Sequence, residues 1–167
     1  PLNLVTRIQK RFLDLFVALI ALVILMPLLI GVALAIRLEG PGPVFFRQLR
    51  VGQGNRQFRI FKFRSMHLES SDSTGNRSTS RDDDRITRVG RIIRRTSIDE
   101  LPQLINVLRG EMSMVGPRPH ALGSTAGNEL FWHASRQYWL RHALKPGITG
   151  LAQIRGYRGA TERVEDI

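Results

Sequence analysis

The most prominent feature of the hydropathy pattern is an uncharged run near the N-terminus. Leu15–Ile36 comprises 22 consecutive residues without a charge, nearly all of them Leu, Ile, Val, Ala or Phe. As a helix rising about 1.5 Å per residue, the run reaches roughly 33 Å, enough to enter a bilayer deeply. Pro27 lies near its middle and removes a backbone hydrogen bond, so we expect the helix to bend or break there. The pattern predicts a membrane-inserted helix.

The charges that flank this run predict its topology. Basic residues precede the run at Arg7, Lys10 and Arg11 and follow it at Arg37, Arg47 and Arg50. Because basic flanks favour the cytoplasmic side, we expect a re-entrant helix, broken at Pro27, that dips into the membrane and returns. A tilted single span with a proline kink remains open. A signal peptide is a further alternative, disfavoured by the length of the run and by its proline.

The next segment, after a turn at Gly40–Pro43, has the pattern of a β-hairpin. It carries six basic residues and no acidic one between Val44 and Met66, which predicts a cationic sheet edge beside the membrane. The arms are predicted at Val44–Phe46 and Phe58–Arg64, with the turn at Gly52–Asn55.

The remainder of the chain alternates short helical and extended patterns, and the fold class expected is α+β. Glu69–Asp84 lacks apolar side chains and predicts a solvated loop. Apolar spacing predicts amphipathic helices. We expect them at the membrane interface, and for the helix that carries two tryptophans a place in the core is an open alternative. These helices are predicted at Arg85–Arg95, at Leu101–Leu108 with a stop at Gly110, and at Asn128–Leu144 with Trp132 and Trp139 on its faces. A short strand is predicted at Met112–Val115, a turn at Gly116–Pro119, and loop or short strand at Lys145–Gly159.

Composition narrows the class of protein. The 167 residues are 43% hydrophobic and 23% charged, with 25 basic against 14 acidic residues and a net charge of +11. The uncharged run argues against an ordinary soluble enzyme. The basic surplus, nearly all arginine, suits phosphate groups or an acidic membrane face. The absence of cysteine excludes disulfides and thiolate metal sites. Because the chain starts at Pro1 without methionine, we expect it to be part of a longer protein.

Adjacent carboxylates at Asp99 and Glu100 are the first candidate for chemistry. Two interpretations are open. Ser97 and Glu100 have the spacing of a capping box, and Pro102 would suit a first turn capped by Asp99, so the acids could simply begin a helix. Alternatively, one carboxylate attacks phosphorus while the other holds Mg²⁺.

Arginines supply the second set of candidates. Arg118 lies between two prolines, where a rigid backbone could direct a guanidinium at an anion, or where it could be an exposed turn residue. Arg94, five residues before Asp99, could hold a phosphate while the outer arginines of its helix contact lipid headgroups. No histidine pair has metal-ligand spacing, and no nucleotide-binding phosphate loop occurs. The arginines of that helix segment are Arg85, Arg88, Arg91, Arg94 and Arg95.

Several ordered motifs resemble the monotopic bacterial polyprenyl-phosphate sugar-1-phosphate transferases. They cover most of the chain in the order found in that family. The motifs are Lys10-Arg11-Phe12-Leu13-Asp14, Gly42-Pro43-Val44-Phe45-Phe46-Arg47-Gln48, Phe61-Lys62-Phe63-Arg64-Ser65-Met66, Asp99-Glu100-Leu101-Pro102-Gln103-Leu104, Met114-Val115-Gly116-Pro117-Arg118-Pro119 and Lys145-Pro146-Gly147-Ile148-Thr149-Gly150-Leu151-Ala152-Gln153.

This resemblance implies a monotopic membrane protein of the bacterial inner membrane with its active site on the cytoplasmic face. It implies transfer of sugar-1-phosphate from a UDP-sugar to undecaprenyl phosphate, with release of UMP. Asp99 is then the nucleophile that forms a phosphosugar-aspartyl intermediate, and Glu100 holds Mg²⁺. The resemblance further implies phosphate or substrate binding by Lys62, Arg94, Arg118, Gln153 and Arg158.

The closing motif, from Gln153 through Gly156-Tyr157-Arg158-Gly159, resembles the subgroup that initiates exopolysaccharide or capsule repeats with glucose or galactose. Met26 stands where the family commonly has serine before the proline, which leaves the helix break with less side-chain help for its freed backbone groups. Arg155 and Ala160 depart from the asparagine and glutamate frequent in the closing motif, which leaves the sugar open. We expect a re-entrant membrane segment at residues 1–40 and a catalytic domain at 41–167 that continues beyond the given C-terminus. Anionic lipids are expected partners, and a homodimer is an open alternative.

A membrane-tethered nucleic-acid-binding protein is the rival function. The net charge of +11 favours it. However, no nucleic-acid-binding module is recognisable, and the carboxylate pair would repel a phosphate backbone unless metal were bound. We therefore expect no nucleic-acid partner.

Overall fold

The computed structural model describes residues 3–68, 83–126, 129–134 and 137–155. Its helices are α1 (Leu4–Glu39), α2 (Arg88–Arg95), α3 (Gln103–Arg109), α4 (Phe131–Ala134) and α5 (Leu151–Ile154). Its strands are β1 (Phe45–Val51), β2 (Gln57–Phe63), β3 (Ser113–Val115), β4 (Thr125–Ala126), β5 (Glu129–Leu130) and β6 (Gly147–Thr149). Mixed helix and strand are thus confirmed. The predicted loop at Glu69–Asp84 lies outside the described residues except for its last two positions.

Helix α1 is long and apolar enough to cross a membrane, by length and composition. It continues through Pro27, so the predicted break in helical conformation is not present. A proline removes only one helical hydrogen bond, and packing on both sides of it holds the helix together. Ala21 and Leu22 before the proline, and Leu29 and Val32 after it, contact the rest of the domain.

One stripe of α1 faces the rest of the domain, with Asp14, Ala18 and Ile36 buried and the residues between them on this stripe half-buried. Ala18 packs with Phe58, Ile60, Leu104, Val107 and Met112 in one core cluster. Ile36 packs with Phe63 and Ile93 in a second. The remaining faces of α1 expose large apolar side chains from Phe12 to Leu38, and a surface of this kind is typical of contact with lipid or a partner.

Polar contacts anchor the start of α1 to the domain. Asp14 is 5% exposed and accepts hydrogen bonds from the backbone N–H of Met114 at 2.9 Å and from Ser113 Oγ at 3.0 Å. Arg11 donates to the carbonyl oxygens of Val107 at 2.6 Å and Leu108 at 3.0 Å, at the C-terminal end of α3. The buried carboxylate and the last carbonyls of α3 are thereby satisfied.

The predicted hairpin is confirmed, but its first strand is longer than expected. β1 and β2 pair antiparallel from Phe45 opposite Phe63 to Val51 opposite Gln57, with the turn at Gln53–Asn55. Alternation places Phe46, Gln48 and Arg50 of β1 on the same face as the β2 residues Lys62, Ile60 and Phe58. The predicted arm stopped at Phe46 because the following Arg47–Arg50 segment is polar, yet cross-strand pairing extends through it.

Two predicted helices are confirmed with shifted starts. α2 begins at Arg88 because Thr87 caps it by accepting from the backbone N–H of Gly90, while Ile86 forms an isolated bridge with Met66. α3 ends at Gly110, whose φ of 83° lies in the left-handed region that glycine adopts readily.

The predicted helix at Asn128–Leu144 is wrong. The described part of this segment consists of β5, the single turn α4, and a 3₁₀ helix at Tyr138–Ala143. Aromatic packing replaces helical periodicity here: Phe131 and Tyr138 are buried together, and Trp132 packs against them. The predicted strand at Met112–Val115 is confirmed as β3, which pairs in parallel with β6.

Candidate active site

The carboxylate pair lies in a short 3₁₀ turn, Ile98–Glu100, between α2 and α3. Ser97, directly before this turn, has a φ of 59°, and its side chain makes no capping hydrogen bond. Pro102, which directly precedes α3, makes none either. The capping-box interpretation is therefore wrong. A non-glycine residue in the left-handed region is uncommon and is often found at functional sites. The chain turns sharply at Ser97 and buries Asp99, which is 8% exposed.

Glu100 forms the centre of a charged cluster. Lys62 Nζ on β2 lies 2.7 Å from Glu100 Oε1, and Arg118 Nη2 lies 3.5 Å from the same oxygen. Burial by itself raises the pKa of Glu100, but the charges of Lys62 and Arg118 outweigh it and lower that pKa to about 2. Glu100 is ionised at neutral pH, and its negative charge is shared by two cations from different elements.

Asp99 and Lys62 are perturbed in ways that fit a reactive site. Burial raises the pKa of Asp99, against the lowering effect of the Lys62 charge. Burial also lowers the pKa of Lys62, against the opposing effect of Glu100 and Asp99. Groups whose pKa values are displaced by burial and by specific charges are typical of catalytic sites.

A small pocket opens beside Glu100 between the hairpin and the β3–β6 sheet. The three cationic side chains in its wall outnumber the single carboxylate. This charge balance suits an anionic ligand with more than one negative charge. The lining residues are Arg50, Ile60, Lys62, Glu100, Gln103, Arg118, Pro119, Gly147 and Ile148.

Arg50 is a site residue that the sequence patterns did not identify. Its Nε is buried without a hydrogen-bond partner in the described part of the chain, while its two terminal nitrogens donate to Pro119 O and Gln48 Oε1. Burial lowers its pKa to about 10, so it remains charged at neutral pH. Strand alternation could have identified Arg50 as a site residue. If the predicted first strand had extended to Val51, Arg50 would have been placed on the same face as Lys62.

The turn that carries Arg118 is held by an unusual series of hydrogen bonds. Four consecutive carbonyl oxygens, those of Pro117, Arg118, Pro119 and His120, each accept from a different donor. Because the backbone is fixed on both sides of Arg118, its guanidinium reaches Glu100 from a rigid turn. Gly147 N donates to Pro117 O at 2.9 Å, and Val51 N donates to His120 O at 3.0 Å. Arg141 Nη2 donates to Arg118 O at 3.1 Å, and Arg50 Nη1 donates to Pro119 O at 3.4 Å.

Arg94 comes from helix α2, which precedes the turn that carries the pair. It lies in the last turn of α2, and its Nη1 donates to Ser65 Oγ at 3.4 Å. Burial raises the pKa of Asp99, and the positive charge of Arg94 opposes that rise, as the charge of Lys62 does. Gly90 permits this arrangement, since a Cβ there would lie 2.0 Å from the carbonyl oxygen of Ser65. Without a side chain at Gly90, α2 can pack directly on the backbone that follows β2.

The structure brings together most of the predicted site residues. Asp99, Glu100, Lys62 and Arg118 form one cluster, and Arg94 adjoins it. Gln153 is buried in α5 and is not among the residues that line the pocket beside Glu100. Arg158 lies outside the described residues.

The chain is similar to known bacterial sugar transferases over nearly its whole length. A family model described as bacterial sugar transferase matches residues 5–167. Undecaprenyl-phosphate glucose phosphotransferase of Komagataeibacter xylinus is 54% identical over 167 residues, which is 100% of this chain and 31% of that protein. UDP-glucose:undecaprenyl-phosphate glucose-1-phosphate transferase of Escherichia coli K12 is 48% identical over 165 residues, 99% of this chain and 35% of that protein.

A third relative is covered more fully. The exopolysaccharide production protein PSS of Rhizobium leguminosarum bv. phaseoli is 51% identical over 156 residues, 93% of this chain and 78% of that protein. The chain thus spans about a third of the first two relatives, at 31% and 35%, and most of the third. With a family match over nearly its whole length and close relatives of this identity, the chain belongs to the bacterial sugar transferase family.

Proposed function

We propose that the protein transfers a sugar 1-phosphate from a UDP-sugar to undecaprenyl phosphate and releases UMP, the first membrane step of exopolysaccharide or capsule synthesis. The observation that carries this proposal is the buried Asp99 beside the Glu100–Lys62–Arg118 cluster. A carboxylate nucleophile next to several fixed cations suits attack on phosphorus, because the cations balance charge on the phosphoryl oxygens. The names of two relatives support these substrates: both name undecaprenyl phosphate, and the Escherichia coli relative also names UDP-glucose.

The proposed chemistry proceeds in two displacements. In the first, an Asp99 carboxylate oxygen attacks the β-phosphorus of the UDP-sugar, and the bond from that phosphorus to UMP breaks. In the second, a phosphate oxygen of undecaprenyl phosphate attacks the same phosphorus, and the bond to Asp99 breaks, which restores the carboxylate. Arg118 and Lys62 offset the negative charge that builds up on the departing UMP phosphate.

Mg²⁺ is the proposed cofactor, and the residues fit it. Lys62 and Arg118 both contact Oε1 of Glu100, and among the described residues no hydrogen bond or ion pair reaches Oε2. The described residues hold no cluster of three or more His, Cys, Asp or Glu ligands. Mg²⁺ commonly binds through one or two carboxylates, with waters and substrate phosphates completing its shell. When bound, it would neutralise charge on the diphosphate, and Glu100 would hold it.

We propose that α1, which stays helical through Pro27, bends at that residue without a break, so that it enters the cytoplasmic leaflet and returns, with the site on the cytoplasmic face of the inner membrane. The same domain contacts α1 near its start, at Arg11, and near its end, at Ile36. A helix that crossed the bilayer would carry these two contacts to opposite sides, about 30 Å apart. Exposed arginines of α2 lie next to the end of α1, where they would contact anionic lipids.

The sugar is proposed to be glucose, since glucose is in the names of both relatives described above whose names state a substrate; galactose is the alternative. The test is UMP release by the intact protein in detergent, with Mg²⁺, undecaprenyl phosphate and either UDP-glucose, UDP-galactose or UDP-N-acetylgalactosamine. The proposal expects UMP together with a lipid-linked sugar phosphate for UDP-glucose. Lack of UMP release with every donor would contradict it.

A further inference from the structure

The side chain of Asn106 on α3 is polar and yet fully buried, at 0% exposure. Its Oδ1 accepts a hydrogen bond from the backbone N–H of Phe61 at 3.0 Å, and its Nδ2 donates to the carbonyl oxygen of Arg59 at 2.8 Å. Nδ2 also donates to Glu111 Oε2 at 2.7 Å. These three hydrogen bonds offset the cost of burying the carboxamide.

The two backbone contacts of Asn106 complete the outer edge of strand β2. Among the described residues, β2 pairs with β1 alone in its sheet. The backbone groups of Arg59 and Phe61 that face away from β1 therefore need other partners. A single carboxamide donates and accepts along this edge, as a neighbouring strand would, and it ends one residue before Lys62.

Asn106 thereby connects the two elements that carry the central ion pair. Lys62 directly follows Phe61 on β2, and Glu100 lies in the turn that leads into α3. Lys62 Nζ and Glu100 Oε1 are 2.7 Å apart. A shift of α3 along β2 would change this distance, and the hydrogen bonds of Asn106 oppose such a shift.

Apolar packing between the same two elements does not fix this distance. Ile60 of β2 and Leu104 of α3 belong to one core cluster, but hydrophobic attraction has no preferred direction. The hydrogen bonds of Asn106, in contrast, weaken steeply when donor and acceptor move apart or tilt. They specify one register of α3 on β2 inside a cluster that would otherwise tolerate sliding.

Building on the proposed function, we propose that Asn106 is a positioning residue for Lys62. By holding α3 on the edge of β2, its carboxamide keeps the Lys62 ammonium at the place beside Glu100 and Asp99 that the reaction requires. Asn106 itself contacts neither substrate nor metal. Its effect on the reaction passes through Lys62, so its loss should matter only while Lys62 is present.

The test is a double-mutant cycle of Asn106→Asp and Lys62→Gln in the intact protein. Aspartate has the shape of asparagine but sets an acceptor oxygen against Arg59 O and the Glu111 carboxylate. Asn106→Asp is expected to lower kcat/KM for the UDP-sugar about tenfold alone, and less than about twofold when Lys62→Gln is already present. Adding Glu111→Gln should recover part of the loss, because glutamine can donate to the new carboxylate. Losses that multiply in the Asn106→Asp/Lys62→Gln protein would overturn the positioning role.

The matched control is Val107→Ala, because Val107 is also 0% exposed on α3 and its side chain packs only in the apolar cluster. It should lower the melting temperature, as Asn106→Asp does, yet keep kcat/KM within about twofold of the wild type. Asn106→Ala is the second variant, since it removes the carboxamide without adding a repulsive contact. The positioning role is overturned if both Asn106 variants are unfolded where Val107→Ala is folded, or if they are folded and fully active.

Amide hydrogen exchange at Phe61 separates this proposal from the proposed function, because it needs no turnover. In folded Asn106→Ala, the Phe61 amide should exchange about tenfold faster than in Val107→Ala, since it has lost its acceptor. Unchanged exchange would overturn the contact on which the positioning depends. A wild type that releases no UMP, with the expected exchange at Phe61, would overturn the proposed function and the catalytic role of Asn106 but not the contact itself.

Discussion

Lys62 Nζ lies 2.7 Å from Glu100 Oε1, an ion pair that joins strand β2 to the turn carrying both acidic residues. Only about a fifth of each side chain is exposed, 19% for Lys62 and 20% for Glu100. The pair is therefore shielded from water, and the loss of one partner leaves a poorly solvated charge.

Replacement of Lys62 by glutamine is the first test of this relationship. We expect Lys62→Gln to reduce UMP release about 100-fold, because the site loses a cation that faces both acids and the phosphoryl oxygens of the substrate. The matched control is Arg59→Gln, an exposed basic position on the same strand, which should retain activity. Activity in Lys62→Gln above half that of the control would contradict the role assigned to Lys62.

Arg141 is expected to act as a positioning residue through the Arg118 turn. Its Nη2 donates to the carbonyl oxygen of Arg118 at 3.1 Å, and its Nη1 lies 3.2 Å from His120 Nδ1. Since a guanidinium only donates, Nδ1 must accept, which requires a neutral His120. Burial lowers the pKa of His120 well below its usual value, so this pairing is present at neutral pH.

This arrangement predicts a graded series of variants. Arg141→Gln should lower kcat/KM for the UDP-sugar about tenfold, because Arg118 loses one support of its turn. His120→Gln, which keeps an acceptor for Arg141, should retain more activity than His120→Leu, which keeps the bulk alone. Equal activity in the two His120 variants, measured at matched thermal stability, would contradict the positioning role.

Gly90 should be intolerant of even a methyl group. In Gly90→Ala the new Cβ would lie 2.0 Å from the backbone oxygen of Ser65, so α2 must shift and Arg94 must leave Ser65. We expect a loss of about 1–3 kcal/mol in unfolding free energy and a parallel loss of activity. Gly31→Ala in α1 is the control, since a Cβ there meets nothing within 4 Å; an unchanged melting temperature in Gly90→Ala would refute this packing.

The placement of α1 can be tested with single cysteines, because these 167 residues contain none. Gln9 is exposed near the start of α1, and Gly40 follows its end with open space around it. A re-entrant helix predicts that Gln9→Cys and Gly40→Cys react equally with a membrane-impermeant maleimide from the cytoplasmic side. Labelling of the two cysteines from opposite sides would show that α1 spans the membrane.

Local rules were sufficient for part of this fold. Alternating Phe58 and Ile60 predicted strand β2, and Gly110 predicted the end of α3, because backbone conformation there depends on residues close in sequence. The ordered motifs also identified the carboxylate pair and Lys62 and Arg118 as candidates. These residues do gather at one place in the structure.

Long-range packing determines the parts of the fold that the local sequence did not predict. Pro27 alone predicts a break, but the domain contacts of Leu22 and Leu29 on either side hold α1 helical. Arg50 lies in a polar stretch that becomes strand only by pairing with Phe58. The helical spacing around Trp132 was overridden because Phe131 and Tyr138 bury their rings together. None of these contacts can be read from neighbouring residues.

The central claim, that Asp99 is the nucleophile, is tested most directly by trapping the phosphosugar on the protein. The intact protein and Asp99→Asn would be incubated with Mg²⁺ and UDP-glucose labelled at the β-phosphate, first without undecaprenyl phosphate and then with it. The account predicts protein-bound label in the wild type, its transfer to lipid when the acceptor is added, and no bound label in a folded Asp99→Asn protein. Equal label on Asp99→Asn, or wild-type turnover that never passes through labelled protein, would contradict it.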